Sequence, residues 1–362
     1  MKRLALLLSL FVLLPASPAL ARSASAAPAP ARVVHAVRFP ADTAMHPDAG
    51  VEWWYFVGHL ADKAGHQYGF ETTFFKFSGL RRYFPGSPAD VAYRTDVAIT
   101  DEAAKKFHHA ITYDAPALHQ GAIASTTRLQ LKAGLISVQT LGPLSYAVHG
   151  AMPDGRVDLT VTSRRAPMLE HGGYLGWGSG YTYYYSLTHM DAVGTLTIKG
   201  RRIAVHGVAW HDHQWGDMGG TSVKGWDWMA LQLSDGTDMD LVNERPASFE
   251  YAKWAQALLP DNTQRYVRGN VTITPLAYWR SPISKVTYPS AWRVRVPSLG
   301  LDVTVRPTIH PQEMIDSYGL LGYKQSYWEG SCTVTGTRNG RPITGKAYTE
   351  LTGYDSFSLS QP

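Results

Sequence analysis

The sequence predicts an all-β protein made of two antiparallel β-barrel or sandwich domains packed together. Roughly sixteen short strand candidates recur along the chain at a spacing of about 8–12 residues, bounded by turn residues, with no sustained helical period. Hairpin turns punctuate them: Asp235-Gly236 lies between Trp226–Leu233 and Thr237–Asn243, and Asn339-Gly340 between Tyr327–Thr337 and Pro342–Leu351. Aromatic residues reach 12% of the 362 residues and fall within strand-like runs, which suits pleated, half-buried surfaces. Sixteen strands exceed one small barrel, so the chain divides, with glycine-rich 216–225 as its joint.

The order of the chain supports this. Lys2 and Arg3 precede an apolar run from Leu4 to Leu14, and Ala19-Leu20-Ala21 supplies a small-residue cleavage site. Residues 1–21 therefore read as a secretory signal peptide, and the expected destination is the periplasm or the exterior. Residues 22–45, rich in Ala, Pro and Ser, read as a flexible lead-in. The first domain is expected over 46–216 and the second over 217–362. Glu52–Leu60 pairs with Gln67–Phe77 across Asp62-Lys-Ala-Gly65, and Gly194–Ile198 with Ile203–Trp210. Tyr93–Thr100, Phe107–Tyr113, Thr127–Gln139, Arg156–Thr162 and Tyr181–Thr188 are further strands, as are Trp292–Val296 and Leu301–Val305. Short helices are expected only at Ala247–Ala257 and Pro311–Tyr318.

Composition narrows the partners. A formal charge of +5 falls to +3 once Lys2 and Arg3 are removed, too mild for nucleic acid or an acidic membrane surface. The apolar run 4–14 is short for a membrane span. The single cysteine, Cys332, excludes an intramolecular disulfide framework and reads as a buried thiol. The expected partner is a small hydrophobic molecule, and the oligomeric state is left open.

Function is concentrated in Val208-Ala-Trp-His-Asp-His-Gln-Trp-Gly216 and Gly225-Trp-Asp-Trp-Met229, with an upstream counterpart in Glu52-Trp-Trp-Tyr55. Indole walls beside imidazoles and carboxyls suit a ligand cavity, and clefts between domains are common ligand sites. On an extended strand His211, His213 and Trp215 share one face, while Trp210, Asp212 and Gln214 share the other. Asp212 would then orient a side chain or close a turn rather than touch the ligand. Trp226 and Trp228 likewise oppose Asp227. Plain core packing competes with ligand contact for Trp53, Trp210 and Trp226, and Glu329 and Glu350 read as structural residues of terminal hairpin strands. His211-x-His213 has the form of a two-histidine metal pair, but no spacing recruits further ligands, so neither metal nor other cofactor is expected. Gly176-Trp-Gly-Ser-Gly180 has its glycines misplaced for a serine-hydrolase elbow.

Several motifs in one order resemble the AttH/carotenoid 1,2-hydratase (hydroxyneurosporene synthase) group, some of whose members are labelled predicted secreted hydrolases. They are His46-Pro-Asp-Ala-Gly-Val-Glu-Trp-Trp-Tyr55 with Gly58-His59-Leu60, Tyr183-Tyr-Tyr-Ser-Leu-Thr188, Gly207–Gly216, Gly225–Trp228, Tyr327-Trp-Glu-Gly330 and Tyr348–Tyr354. The resemblance implies two lipocalin-like halves and, in the hydratases, addition of water to an isoprenoid C=C bond. It singles out His213 and Trp215 as active-site residues. It also implies a downstream acid as proton donor; Asp240 is the nearest acid, and Asn243 stands near the same place.

Alkene hydration needs a protonated acid in a low-dielectric pocket, aromatic faces for the cation, and a polar group to hold water. The expected catalytic set is His213, Trp215, Asp240 and Glu52, with Trp54, Tyr55, Tyr183, Tyr185, His211 and Trp228 lining one cavity at the domain junction. A non-catalytic lipocalin-like carrier and a secreted hydrolase are the competing readings.

Overall fold

The structure, a computed structural model, describes residues 35–83, 89–116, 121–177, 180–217, 225–245, 253–316 and 326–354. The proposed signal peptide, most of the lead-in and most of the glycine-rich joint lie outside these residues. The described residues form 22 strands, more than the sequence suggested, because one expected strand is a hairpin and several further strands carried no clear sequence signal. Thr127–Gln139 turns at Gly134, whose φ of +48° is left-handed.

The first sheet contains β1 (Val51–Ala61), β2 (Gln67–Ser78), β3 (Val91–Asp101), β4 (Lys106–Asp114), β5 (Ile123–Ala124) and β6 (Gln130–Ala133). It continues with β7 (Ile136–Gly142), β8 (Ser145–Met152), β9 (Gly155–Ser163), β10 (Met168–Trp177), β11 (Gly180–Ile198) and β12 (Arg201–Asp217). The second holds β13 (Gly225–Leu233), β14 (Asp238–Arg245), β15 (Lys253–Leu258), β16 (Gln264–Arg268) and β17 (Thr272–Arg280). Its remaining strands are β18 (Thr287–Val296), β19 (Leu301–Pro307), β20 (Glu313–Ile315), β21 (Ser326–Arg338) and β22 (Arg341–Leu351). The twelve-stranded sheet places β1 between β2 and β12, and the ten-stranded sheet places β13 between β14 and β22. All the pairings are antiparallel hairpins or returns, so the fold is all-β with two curled, lipocalin-like sheets packed together.

Neither expected helix appears among the described residues. Within Ala247–Ala257 the described part is strand β15, whose Ala255 and Ala257 face the second core and whose Trp254 and Leu258 face the other sheet. Within Pro311–Tyr318 the described part includes β20, paired to β21. Short apolar runs do not distinguish helix from buried strand, and sheet pairing decided here. Among the described residues no helix is long and apolar enough to cross a membrane.

Each sheet encloses its own apolar core. Trp54, Phe56, Tyr146, Tyr185 and Leu187 belong to the first, Trp292, Val294, Trp328 and Cys332 to the second. The opposite faces of β1, β11 and β12 meet β13–β15 and β22 in a third layer containing Tyr55, Tyr184, Trp210, Trp228, Trp254 and Tyr348. Each large aromatic side chain buried there stabilises the pairing of the sheets by roughly 1.5–3 kcal/mol.

Close strand approach depends on Gly58. A Cβ there would strike Val208 O on β12, with Ala209 Cα and the Phe70 ring each 2.8 Å away. Gly58→Ala is expected to destabilise the chain by about 1–3 kcal/mol, measured by urea unfolding; an unchanged midpoint would show that the β1–β12 spacing relaxes freely.

Candidate functional site

Strand β12 is buried on both faces, and its alternation separates two groups of polar residues. On the inner face, Glu52 pairs in register with Trp215, and Trp54 with His213. Glu52 and His213 therefore meet, as expected: Glu52 Oε1 lies 3.0 Å from His213 Nε2 and 2.8 Å from His46 Nδ1. Lys76 Nζ donates to Glu52 Oε2 at 3.2 Å and to the carbonyls of His46 and Ala49. The His46 backbone N–H also donates to Glu52. Burial alone would raise the Glu52 carboxyl, but its contacts with the His213 and His46 imidazoles, with Lys76 nearby, hold it at about 2. It is a carboxylate at neutral pH and has no proton to give. Aromatic rings fix this network: Trp54 stacks on His213 with centroids 4.7 Å apart, and Trp215 on His46 at 4.1 Å.

The remaining inner-face residues pack into the first core. His211 donates Nδ1–H to the Tyr55 carbonyl at 3.0 Å and stacks on Phe56; burial holds its imidazole neutral, down to about 3. Tyr185 packs edge-on to His211 and His213, and Tyr183 stacks on Trp215.

On the outer face of β12 stand Trp210 and Asp212, facing the second sheet. Asp212 accepts from Tyr184 Oη, Ser186 Oγ and Trp210 Nε1, each at 2.6 Å. Two more carboxyls adjoin the same hydroxyls. Asp240 Oδ2 lies 3.4 Å from Tyr184 Oη, and Glu170 Oε1 lies 3.2 Å from Ser186 Oγ. Each hydroxyl carries one proton, and the shorter contacts assign both to Asp212. The longer contacts to Asp240 and Glu170 are therefore weak ones, and they leave those two carboxyls poorly compensated. Electrostatics agrees: burial, reinforced by neighbouring carboxyls, raises Asp240 and Glu170 well above the usual range. Burial pushes Asp212 up to about 6, restrained by its three hydrogen bonds. No lysine or arginine pairs with the three among the described residues. Trp228 Nε1 donates to Tyr184 Oη at 3.2 Å, and its ring crosses Trp210 edge-on.

The single junction cavity expected from the sequence is thus two places. Glu52, His213, Trp215, Trp54, Tyr183, Tyr185 and His211 lie inside the first sheet; Asp240, Tyr55 and Trp228 lie at the seam between sheets. Alternation on β1 separates Glu52 and Trp54 from Tyr55 in the same way. Asp212, read as an orienting residue, does orient Trp210 and Tyr184, but among the carboxyls at the seam. Tyr55 donates to Glu329 at 2.6 Å, and Glu329 faces Glu350 across β21–β22, so these acids are seam residues too. The sequence reading missed Glu170, Ser186 and Tyr184 as a group, along with His46 and Lys76. His46 opens the first motif and was a findable signal; Glu170 sits in β10 with no local mark.

Beside the carboxyl cluster a cleft of about 570 Å³ is lined by Leu169, His171, Tyr174, Gln256, Gln264 and Tyr266 among others. Its walls flank the cluster: Glu170 lies between Leu169 and His171, and Gln256 pairs in register with Asp240. Side chains rather than a β ladder close this edge. Gln256 bonds the backbone of Leu169 and His171, and Gln264 that of Pro167 and Leu169.

Glu52→Gln leaves Lys76 buried without its counter-charge and is expected to cost about 3–5 kcal/mol in urea unfolding. Adding Lys76→Met should recover part of that loss; no recovery would mean that Lys76 is not the charge at issue.

The AttH-like family model matches residues 30–354. A putative AttH from Nitrosomonas europaea is 28% identical, with a TM-score of 0.76, covering 90% of this chain and 99% of its own. Kievitone hydratase from Nectria haematococca has the same fold at 17% identity and a TM-score of 0.70, covering 88% and 93%. CghA, solved with Sch210972, is more distant at 13% identity and a TM-score of 0.50, covering 84% and 88%. No curated protein sequence matches. The motif resemblance and the two-sheet architecture agree with the family match, and the chain belongs to the AttH-like family.

Proposed function

We propose that this chain is an exported hydratase that binds a hydrophobic, isoprenoid- or lipid-like molecule between its two sheets and adds water across a C=C bond. The observation that carries the reading is the Glu170–Asp212–Asp240 cluster, three buried carboxyls around Tyr184 and Ser186, where burial and the neighbouring Asp212 favour a proton on Asp240. An unactivated alkene takes its proton from such an acid. Asp240 Oδ1 has no protein partner among the described residues, so that oxygen is not committed to the fold.

In the proposed reaction the Asp240 carboxyl proton passes to one alkene carbon, and the π electrons form the new C–H bond. The other carbon becomes a tertiary cation, beside the faces of Trp228 and Trp210; an indole face stabilises a desolvated cation by about 2 kcal/mol or more. Water adds through oxygen and yields a proton to the carboxylates, and Tyr184, between Asp212 and Asp240, returns it to Asp240. The net change is addition of one water. The cleft beside Gln256 is in the size range of small-molecule sites and is the proposed entrance. Kievitone hydratase, with the same fold, carries a hydratase name, which supports the reaction class. The start of the chain, Lys2-Arg3 before the run 4–14 and Ala19-Leu20-Ala21, supports export.

Asp240→Asn is expected to lower turnover of an isoprenoid alkene by about 10²–10⁴-fold while binding of a lipophilic probe persists. Wild-type protein that binds the probe and hydrates no isoprenoid overturns the reading in favour of a carrier.

The same substitution has a stability signature. A carboxyl raised by folding stabilises below its unfolded pKa of about 3.9, and that contribution is lost as the pH rises through its folded value. Asp240→Asn should therefore be more stable than wild type at pH 8, by about 1 kcal/mol or more, with the gain vanishing near pH 4. Thermal unfolding across that range checks it; a pH-independent difference would mean that Asp240 is paired in the folded protein.

A further inference from the structure

The inner-face network has a feature that a set of hydrogen bonds does not explain. His213 Nδ1 lies 3.0 Å from the Asp42 carbonyl oxygen, so that nitrogen must carry a proton. The far nitrogen of His46, Nε2, faces the Asp42 carboxylate at 3.5 Å. With one proton on each ring, that of His213 lies on the Asp42 side, and Asp42 can hold that of His46 there as well. The lone pairs of His46 Nδ1 and His213 Nε2 then point at Glu52 Oε1, and the three atoms lie within 4.8 Å of one another. Three donor atoms converging on one space suit a cation between them.

We infer that His46, Glu52 and His213 bind one first-row divalent metal ion, zinc by the donor set, with Asp42 as the outer partner of both imidazoles. Two imidazoles and a carboxylate are a common zinc donor set, and ligand atoms about 2.0–2.2 Å from one tetrahedral ion sit about 3.3–3.6 Å apart, so these side chains would open by about half an ångström to admit it. The observed separations are 2.8 and 3.0 Å. Metal-bound histidines ordinarily give their other N–H to a carboxylate or a backbone carbonyl. Asp42 offers one of each. Lys76 holds Glu52 Oε2, and the His46 N–H is shared between Oε2 at 3.0 Å and Oε1 at 3.1 Å, which fixes the carboxylate with Oε1 toward the two imidazoles. The stacked rings of Trp54 and Trp215 set the two imidazole planes.

The alternative source of charge is a second proton on each imidazole, which sums to the same +2 as one ion. It puts a charged ring where His213 has no contact with solvent, whereas a metal uses the neutral ring. The ion would tie the segment around Ala41–Thr43 and His46 to β1 and β12, and three protein ligands leave a position for water. This site lies across β12 from the seam carboxyls and does not depend on the reaction proposed there.

The test uses the full mature chain, stripped with chelator and titrated with Zn²⁺ by calorimetry and with Co²⁺ by visible absorption. One ion per chain is expected, with the nitrogen-ligand Co²⁺ spectrum. His46→Gln should abolish uptake, and Asp42→Asn should weaken it by about 10–100-fold. Circular dichroism confirms that both variants are folded; His46 is partly exposed, so its replacement is tolerable. Failure of wild type to take up either metal overturns the inference, and so does uptake that His46→Gln leaves unchanged. In the first case ¹⁵N NMR of His213 should show protons on both ring nitrogens.

Discussion

The rest of the structure depends on one strand being buried on both sides. β12 has no solvent face along Ala209–Gly216, so successive side chains serve two separate interiors. Every neighbour must follow the same division. Glu52 and Trp54 on β1 join the inner network while Tyr55 crosses to the seam, and on β11 Tyr183 and Tyr185 pack inward while Tyr184 and Ser186 meet Asp212. Antiparallel register makes this division rigid, because a slip of one residue would exchange the two sets completely.

The two interiors treat charge differently. Inside the first sheet Glu52 is surrounded by donors and a lysine, so burial is offset and the group stays ionised. At the seam, carboxyls adjoin carboxyls. There burial and mutual repulsion act in the same direction, and the low-energy arrangement keeps protons on some of the acids. The same residue type therefore has opposite roles on the two sides of β12, set by what faces it. Such a seam stabilises the fold less than an apolar layer of the same shape would, a trade seen where a site is held ready for chemistry.

Much of this was legible in the sequence. Alternation alone separated His211, His213 and Trp215 from Trp210 and Asp212, and the Asp-Gly and Asn-Gly turns located hairpins that the structure contains. The meeting of Glu52 with His213 followed from motif co-occurrence. What escaped is what strand pairing decides. Asp240 belongs with Asp212 because β13 and β14 lay it against the outer face, and Glu170 joins them from β10; no local pattern carries either fact. β11 and β12, at 19 and 17 residues, also run longer than the short strands expected, with an irregularity between Leu187 and Met190 that reads in sequence as an ending. The helices expected near 247–257 and 311–318 failed for the same reason, since pairing overrides weak local preference.

The two-sided burial of β12 also bears on how such a protein can diverge. Odd-numbered positions from 209 to 215 answer to the first core, and even-numbered ones to the space between sheets. Substitutions at 210, 212 and 214 act on the layer between the sheets, where the proposed reaction is placed, and those side chains do not enter the first core. Those at 211, 213 and 215 bear on folding first. Parity along one strand thus assigns each substitution to one of two interiors, so the contact between the sheets can change without the first core changing with it.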